Sequence, residues 1–375
     1  MTGSQGSPHD MSPDTNAALL FGNGDRQLSA CVGEELRAIS RHLVSEIRGA
    51  TVILGGSFSV GEGKCFLQDG RKVIDSDYDL IVITPSFLHS RPHLVRKRLD
   101  PLMKTTRLST HLEINLMWKP FLKLHLTTAF GRIIGGRKDI DDLLGSMPPP
   151  SPFKAVITAY RFLAEAPLER RKYSRLLSKA LVRAAHAAMI HRYREMPRED
   201  WGRLESMRYV HQIIEECADI FDEKAMVAVR KAGDHLLDGC DAAWTAEDYG
   251  LARDILRSVR NVVFQDARRP QDFVRHSFWL INNRLRGLPS PRADFYAIEA
   301  LQALVAAWGD GCVLRKDKVA EASRRTYRLC AHPYGTKVDD PSTAYTQIYR
   351  LLASFIAYYP HKIRYAPRDR HRSCG

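Results

Sequence analysis

Residues Asp75 to Ile83 read DSDYDLIVI: three carboxylates within five residues, running directly into an apolar, β-branched stretch. The stretch Leu80-Ile81-Val82-Ile83 has the composition of a buried strand. Side chains alternate along a strand, so Asp77 and Asp79 leave by one face while Tyr78 and Leu80 point the other way, into a core. Two adjacent anions repel each other, and a fold that keeps them together usually supplies a cation. Hard oxygen ligands of this kind suit Mg²⁺ or Mn²⁺. The crowding of acids at the mouth of a strand therefore predicts a divalent metal site. Asp75 shares the parity of Asp77 and Asp79 and is a further candidate if the strand is regular there; the other reading is a turn-type cap at the strand start.

Working outward, Leu28, Cys31, Val32, Leu36, Ile39, Leu43, Val44 and Ile47 recur at three- and four-residue steps between Asp25 and Arg48. That spacing predicts an amphipathic helix. Thr51 to Leu54 (TVIL) is a short buried strand that ends at Gly55-Gly56-Ser57, where small residues free backbone amides and a hydroxyl to cradle a phosphate. Asp69-Gly70, between two alternating segments in KCFLQDGRKVID, predicts a hairpin with a primed turn. THLEINLMW reads as a further strand, on which Glu113 is an isolated acid between Leu112 and Ile114, costly to bury without a partner. Four or five strands and one or two helices by about residue 145 make a compact α+β domain.

GSMPPPSP, Gly145 to Pro152, marks a boundary, because consecutive prolines join neither a helix nor the middle of a sheet. Beyond it helical periodicity dominates, in segments beginning near Pro152, Arg170, Trp201, Glu223, Ala246, Gln271, Arg292, Lys318 and Ser342. The expected organisation is a disordered leader over 1–24, rich in Gly, Ser, Pro, Asp and Asn; a sheet domain over 25–145; a proline-rich linker over 146–152; an all-helical domain over 153–360; and a mobile basic tail over 361–375. In RRKYSRLLSKALVRAAHAAM, Lys172, Arg175, Lys179, Arg183 and His186 fall three or four apart and share one helix face, with Tyr173, Leu176, Leu177, Ala180 and Ala184 beside it. The face reads either as a cationic ridge toward the acids or as an ordinary solvated surface.

A glycine-turn serine, then Asp-x-Asp, then a third acid on a later strand resembles the DNA polymerase beta-like nucleotidyltransferase superfamily. GGS, DSDYDL and LEI carry the resemblance, all between residues 55 and 114. It implies a nucleotidyltransferase domain followed by a helical partner. It also implies transfer of a nucleoside monophosphate from an NTP to a hydroxyl-bearing acceptor, with release of pyrophosphate. Asp77, Asp79 and Glu113 would be the catalytic and metal-holding acids; Gly55, Gly56 and Ser57, with Ser178 and Lys179 of the helical part, would bind the nucleotide. The acceptor would be RNA or a small hydroxylated molecule. The alternative is a nucleotidyltransferase-like protein without catalysis that binds or senses a nucleotide or RNA. One departure is the distance between serine and acids, with Phe58 to Ser76 intervening where the family is often shorter.

Other motifs do not hold. Gly61-x-Gly63 has Phe66 where a dinucleotide fingerprint wants its third glycine, and Gly63-Lys64 is followed by Cys65 with Phe58 at the first P-loop position. Asp139, Asp141 and Asp142 in KDIDDLL read as a solvated helix face, and FWLINNRL (Phe278 to Leu285) reads as packed core with a polar face or as the lining of an acceptor pocket. A formal charge of +13 and a pI near 9.5 favour polyanionic partners such as nucleic acid or nucleoside triphosphate. The sequence predicts no membrane span. The seven cysteines are scattered, with no CxxC, and read as reduced thiols of a cytoplasmic protein.

Overall fold

A computed structural model describes residues 20–21, 24–68, 71–86, 88–105, 108–119, 132–136, 150–193, 206–238, 243–264, 270–286, 290–312, 315–329, 344–357 and 362–366. Its architecture is α+β: a small mixed sheet with covering helices, followed by a largely helical part.

Helix α1 (Arg26–Glu46) starts where Asp25 accepts a hydrogen bond from the Leu28 amide at 2.9 Å. Its buried positions Leu28, Val32, Leu36, Ile39 and Leu43 keep the three- and four-residue spacing of the sequence. Strand β1 (Thr51–Gly55) is followed at once by the single-turn helix α2 (Gly56–Ser59). Strands β2 (Cys65–Gln68) and β3 (Arg71–Ile74) pair antiparallel as a separate hairpin, whose Asp69-Gly70 turn lies outside the described residues. Then come β4 (Tyr78–Thr84), α3 (Pro92–Thr105), β5 (Leu112–Trp118) and β6 (Arg132–Gly136). Among the described residues the main sheet has the order β6-β1-β4-β5-β7, where β7 is Lys362–Tyr365 from the far end of the chain. Only β4 and β5 run parallel, which is why α3 intervenes as their crossover.

One face of this sheet is the core. Val52, Leu54, Tyr78, Leu80, Val82, Leu112, Ile114, Leu116 and Ile363 pack there with α1 and with Val95, Leu99 and Met103 of α3. The alternate residues, including Asp79 and Glu113, are therefore sent to the opposite face.

The helical part begins with α4 (Pro152–Glu165), whose Pro152 fits the first turn and whose Ser151 caps it. Helices α5 (Tyr173–Arg192), α6 (Val210–Glu216), α7 (Glu223–Asp238), α8 (Ala246–Val263) and α9 (Pro270–Trp279) pack with α4 around Tyr160, Leu177, Leu181, Ile213, Val229, Leu256 and Phe273. Helix α10 (Ser290–Gly309) gives Ala303, Ala306 and Ala307 to that core and Leu301, Leu304 and Val305 to a second one. The second core is completed by Leu280, Ile281, Ile348 and Leu352, the last two from α12 (Ala344–Ala357), which follows α11 (Lys316–Leu329). Among the described residues no helix is long and apolar enough to cross a membrane.

Four expectations need correction. The basic tail does not begin as mobile chain: Lys362–Tyr365 is a sheet strand, because Ile363 is buried in the core, worth about 1.5–3 kcal/mol for such a side chain. The leader's last described residues, Leu20 and Phe21, are buried, with Phe21 bridged to Gly63 and 5.3 Å from the Phe58 ring. His186 is not on an open cationic face but fully buried, and burial drives its imidazole well below its ordinary value. Cys65, Cys217 and Cys312 carry free thiols, whereas Cys31 is in a disulfide.

Candidate active site

Sheet register gathers the acids. Asp79 of β4 is opposite Gly55 of β1 on one side and Glu113 of β5 on the other, and Glu113 is opposite Arg364 of β7. Gly55, Asp79, Glu113 and Arg364 therefore form one rung across four strands, each about 4.8 Å from the next. Asp79 and Glu113 are half-buried while their chain neighbours Tyr78, Leu80, Leu112 and Ile114 are in the core, so both carboxylates share the open face. Asp77, just before β4, is exposed at the same mouth, as is Asp75. Asp75 donates its backbone N–H to the Lys64 carbonyl at 2.9 Å, tying the strand entrance to the hairpin.

The glycine bend abuts these acids. Gly56 has φ +63, and a Cβ built there would overlap the Asp79 Oδ2 atom, so only glycine brings the chain this close. Ser57 follows half-buried in α2. The bend is pinned from behind: the Phe58 ring is 5.2 Å from the Tyr78 ring. Tyr78 in turn donates to Glu35 Oε2 at 3.1 Å, and Ser109 donates to the same carboxylate through Oγ at 2.6 Å and through its amide at 2.9 Å. Glu35 of α1 thus ties together the residues that lead into β4 and β5. Glu62, beyond the bend, is buried and accepts from Ser206 Oγ and from the Met207 and Arg208 amides, both at 2.9 Å, joining the bend to the helical part.

The electrostatics are those of a crowded anionic cleft. The Asp79 carboxyl is pushed up to about 6, first by burial and then by Glu113, against the pull of Lys362 and Lys179. Asp77 is raised by partial desolvation and by Glu113, and drawn down by His111 and Arg175. Lys179 is lowered to about 8, by burial and then by Arg175, Arg161 and Arg183, with Glu165 opposing. Its ammonium lies 5.5 Å from the Phe162 ring centroid. Helix α5 accordingly brings Arg175 and Lys179 into the field of the acids.

Ser178 is not brought to the site. It is fully buried, meets His235 Nδ1 at 2.8 Å and accepts from Trp244 Nε1 at 3.0 Å. Successive helical residues point about 100° apart, so a Ser-Lys neighbour pair cannot face one ligand together. The sequence reading missed Lys362 and Arg364, which both pair with Glu113, Arg364 through Nε at 2.7 Å. The alternation Lys-Ile-Arg-Tyr was the available signal, obscured by the basic composition around it. Glu35 and His111 were missed as well, and nothing in local sequence marks them.

Asp77 and Asp79 offer the hard oxygen donors that a divalent cation takes. Among the described residues, though, no three His, Cys, Asp or Glu side chains are gathered as a set that could hold a metal, since Glu113 is turned to the two β7 cations. KDIDDLL lies outside the described residues. FWLINNRL is core with a satisfied polar face: Leu280, Ile281 and Leu285 are buried, Asn283 donates to the Trp279 carbonyl at 3.0 Å, and Arg325 donates to Asn282 Oδ1 at 2.8 Å. No family model, curated protein or solved structure matches the chain.

Proposed function

We propose that the chain is a metal-dependent nucleotidyltransferase similar to the DNA polymerase beta-like superfamily, moving a nucleoside monophosphate from an NTP to a hydroxyl-bearing acceptor. The observation that carries this reading is the rung itself: Asp79 lies between a glycine that admits a close backbone approach and a second carboxylate on the same face. Burial and Glu113 raise Asp79, an anion surplus that a bound Mg²⁺ or Mn²⁺ would relieve, so Asp77 and Asp79 fit such an ion. When bound, the ion would neutralise phosphate charge and stabilise the oxygens of an in-line displacement.

The chain's own residues do the rest. The bend Gly55–Ser57 lies against the α-phosphate side of a triphosphate, and Lys179 with Arg175 draws its β- and γ-phosphates. Glu113 accepts the proton of the acceptor hydroxyl as the acceptor oxygen bonds to the α-phosphorus and the bond to pyrophosphate breaks. NTP supply is cytoplasmic, and the free thiols of Cys65, Cys217 and Cys312 agree with that setting while the Cys31 disulfide speaks against it.

The second reading, a non-catalytic nucleotide or RNA sensor, is favoured by one feature: Glu113 is already paired with two cations. Incubation with each labelled NTP and Mg²⁺, alone and with total RNA, separates the two. Transfer lost in Asp77→Ala and Asp79→Ala supports the enzyme. Tight NTP binding without pyrophosphate release supports the sensor, and activity retained in either variant removes both acids from the mechanism.

A further inference from the structure

Strand β7 enters the sheet from the opposite end of the sequence, and its alternation splits it between two tasks. Ile363 is buried in the core, and the Tyr365 hydroxyl donates to Asp100 Oδ1 of α3 at 3.1 Å, with Arg96 5.9 Å from its ring. Lys362 and Arg364 take the other face, where both meet Glu113. The strand is held by one face so that it presents two cations by the other. Two cations on one carboxylate leave one positive charge in excess at this spot. Lys362 retains only 14% of its side-chain exposure and Arg364 47%, so the pair is set into the cleft and still reachable from solvent.

Position along the rung assigns the ligand. The glycine bend on β1 lies at one end, Asp79 and Glu113 follow, and Arg364 lies at the other end. A triphosphate seated at the bend is therefore separated from β7 by two strands, and the pair lies on the side from which an acceptor reaches Glu113. We propose that Lys362 and Arg364 form an anion subsite for the acceptor, so that the acceptor carries a phosphate close to its reacting hydroxyl. The proposal rests on the nucleotidyltransferase reading for the direction of the rung and deepens it by naming the acceptor's chemistry. A guanidinium with parallel donors and an ammonium point charge are the residue types that hold a phosphate in this way. The overall charge of +13 favours a nucleic acid strand ending in a 3′-hydroxyl as the source of that phosphate.

The test measures binding, without catalysis. Fluorescence anisotropy of the full chain is recorded with a short oligoribonucleotide ending in a 3′-hydroxyl, with ribose 5-phosphate as competitor, and with a fluorescent ATP analogue in a separate titration. The variants are Lys362→Ala/Arg364→Ala and, in case that pair disturbs β7, Arg364→Lys and Lys362→Gln singly, with circular dichroism and melting followed throughout. The proposal predicts oligonucleotide affinity reduced at least about tenfold in the double variant, and a salt dependence shallower by roughly 1.4 in log–log slope. ATP-analogue affinity should stay within about twofold, because its site is at the other end of the rung. Competition by ribose 5-phosphate alone, with no oligonucleotide binding, keeps the subsite and assigns it to a small phosphorylated acceptor. Loss of ATP-analogue binding with oligonucleotide binding intact overturns the proposal, as does unchanged oligonucleotide binding in folded variants or failure of the wild type to bind either phosphate ligand. If the wild type never transfers a nucleotide but its oligonucleotide binding depends on Lys362 and Arg364, the catalytic reading falls while the subsite stands.

Discussion

Asp79→Asn should make the protein more stable at neutral pH, although it removes a residue central to the proposed chemistry. Burial and Glu113 raise the Asp79 carboxyl from its ordinary 3.8 to about 6. The folded state therefore binds a proton more tightly than the unfolded chain does, so this group's contribution is greatest below about pH 4, falls as pH rises toward 6, and is flat above it. Carrying the charge at neutral pH costs about 3 kcal/mol of folding stability, an upper value because solvent and Lys362 relax around the charge. Asparagine has nearly the same shape and no charge, and at about 2–4 °C per kcal/mol for a domain of this size it should raise Tm by several degrees at neutral pH. The advantage should fade below about pH 4, where Asp79 itself is neutral. Differential scanning calorimetry of both proteins across this pH range, with and without Mg²⁺, is the assay. Mg²⁺ should raise the melting temperature of the wild type at neutral pH and leave Asp79→Asn nearly unmoved. An Asp79→Asn protein that melts at or below the wild-type temperature at neutral pH would refute the reasoning, because the carboxylate would then be a net stabiliser of the folded chain.

Further outcomes follow from individual contacts. Lys179→Ala should raise the NTP KM about tenfold with a smaller change in kcat, and wild-type kcat/KM should decline above about pH 8 as the depressed ammonium loses its proton, a decline absent in Lys179→Arg; an unchanged KM assigns Lys179 to structure alone. Ser178→Ala should lower stability by about 1–3 kcal/mol in urea unfolding, because Trp244 Nε1 loses its buried acceptor, and leave the NTP KM unchanged. Gly56→Ala should abolish transfer, since its methyl group displaces the Asp79 carboxylate, and destabilise the sheet part by about 1–3 kcal/mol through its φ of +63. Chemical denaturation and the labelled-NTP assay read the two effects separately.

Period-two and helical spacing were enough to find α1, β1, the hairpin, β4 and β5, because each buries one face and its sequence records which one. The same parity placed Asp79 on the open face. That Asp79 and Glu113 stand side by side was beyond local sequence, since it depends on the parallel register of β4 and β5 across an intervening helix. Strand β7 was hidden for a different reason. Its two cations dominate the composition of a basic terminus, while the single residue that commits it to the sheet, Ile363, is inconspicuous alone. Ser178 shows the converse error: adjacency to Lys179 in sequence suggested a shared ligand, and helical geometry turns the two apart, Ser178 into the contact with Trp244 and His235. Glu35 carries no sequence signal because its role arises from Tyr78 and Ser109, residues that reach it only after the strands assemble.

The central claim is that Asp77 and Asp79, beside the bend at Gly56, hold a divalent cation together with a nucleotide. Electron paramagnetic resonance of Mn²⁺ titrated into the protein with a non-hydrolysable NTP tests it directly. The account predicts Mn²⁺ binding that tightens when the NTP is present and is lost in Asp79→Asn. Mn²⁺ binding indifferent to the nucleotide, or unaltered by Asp79→Asn, would contradict it.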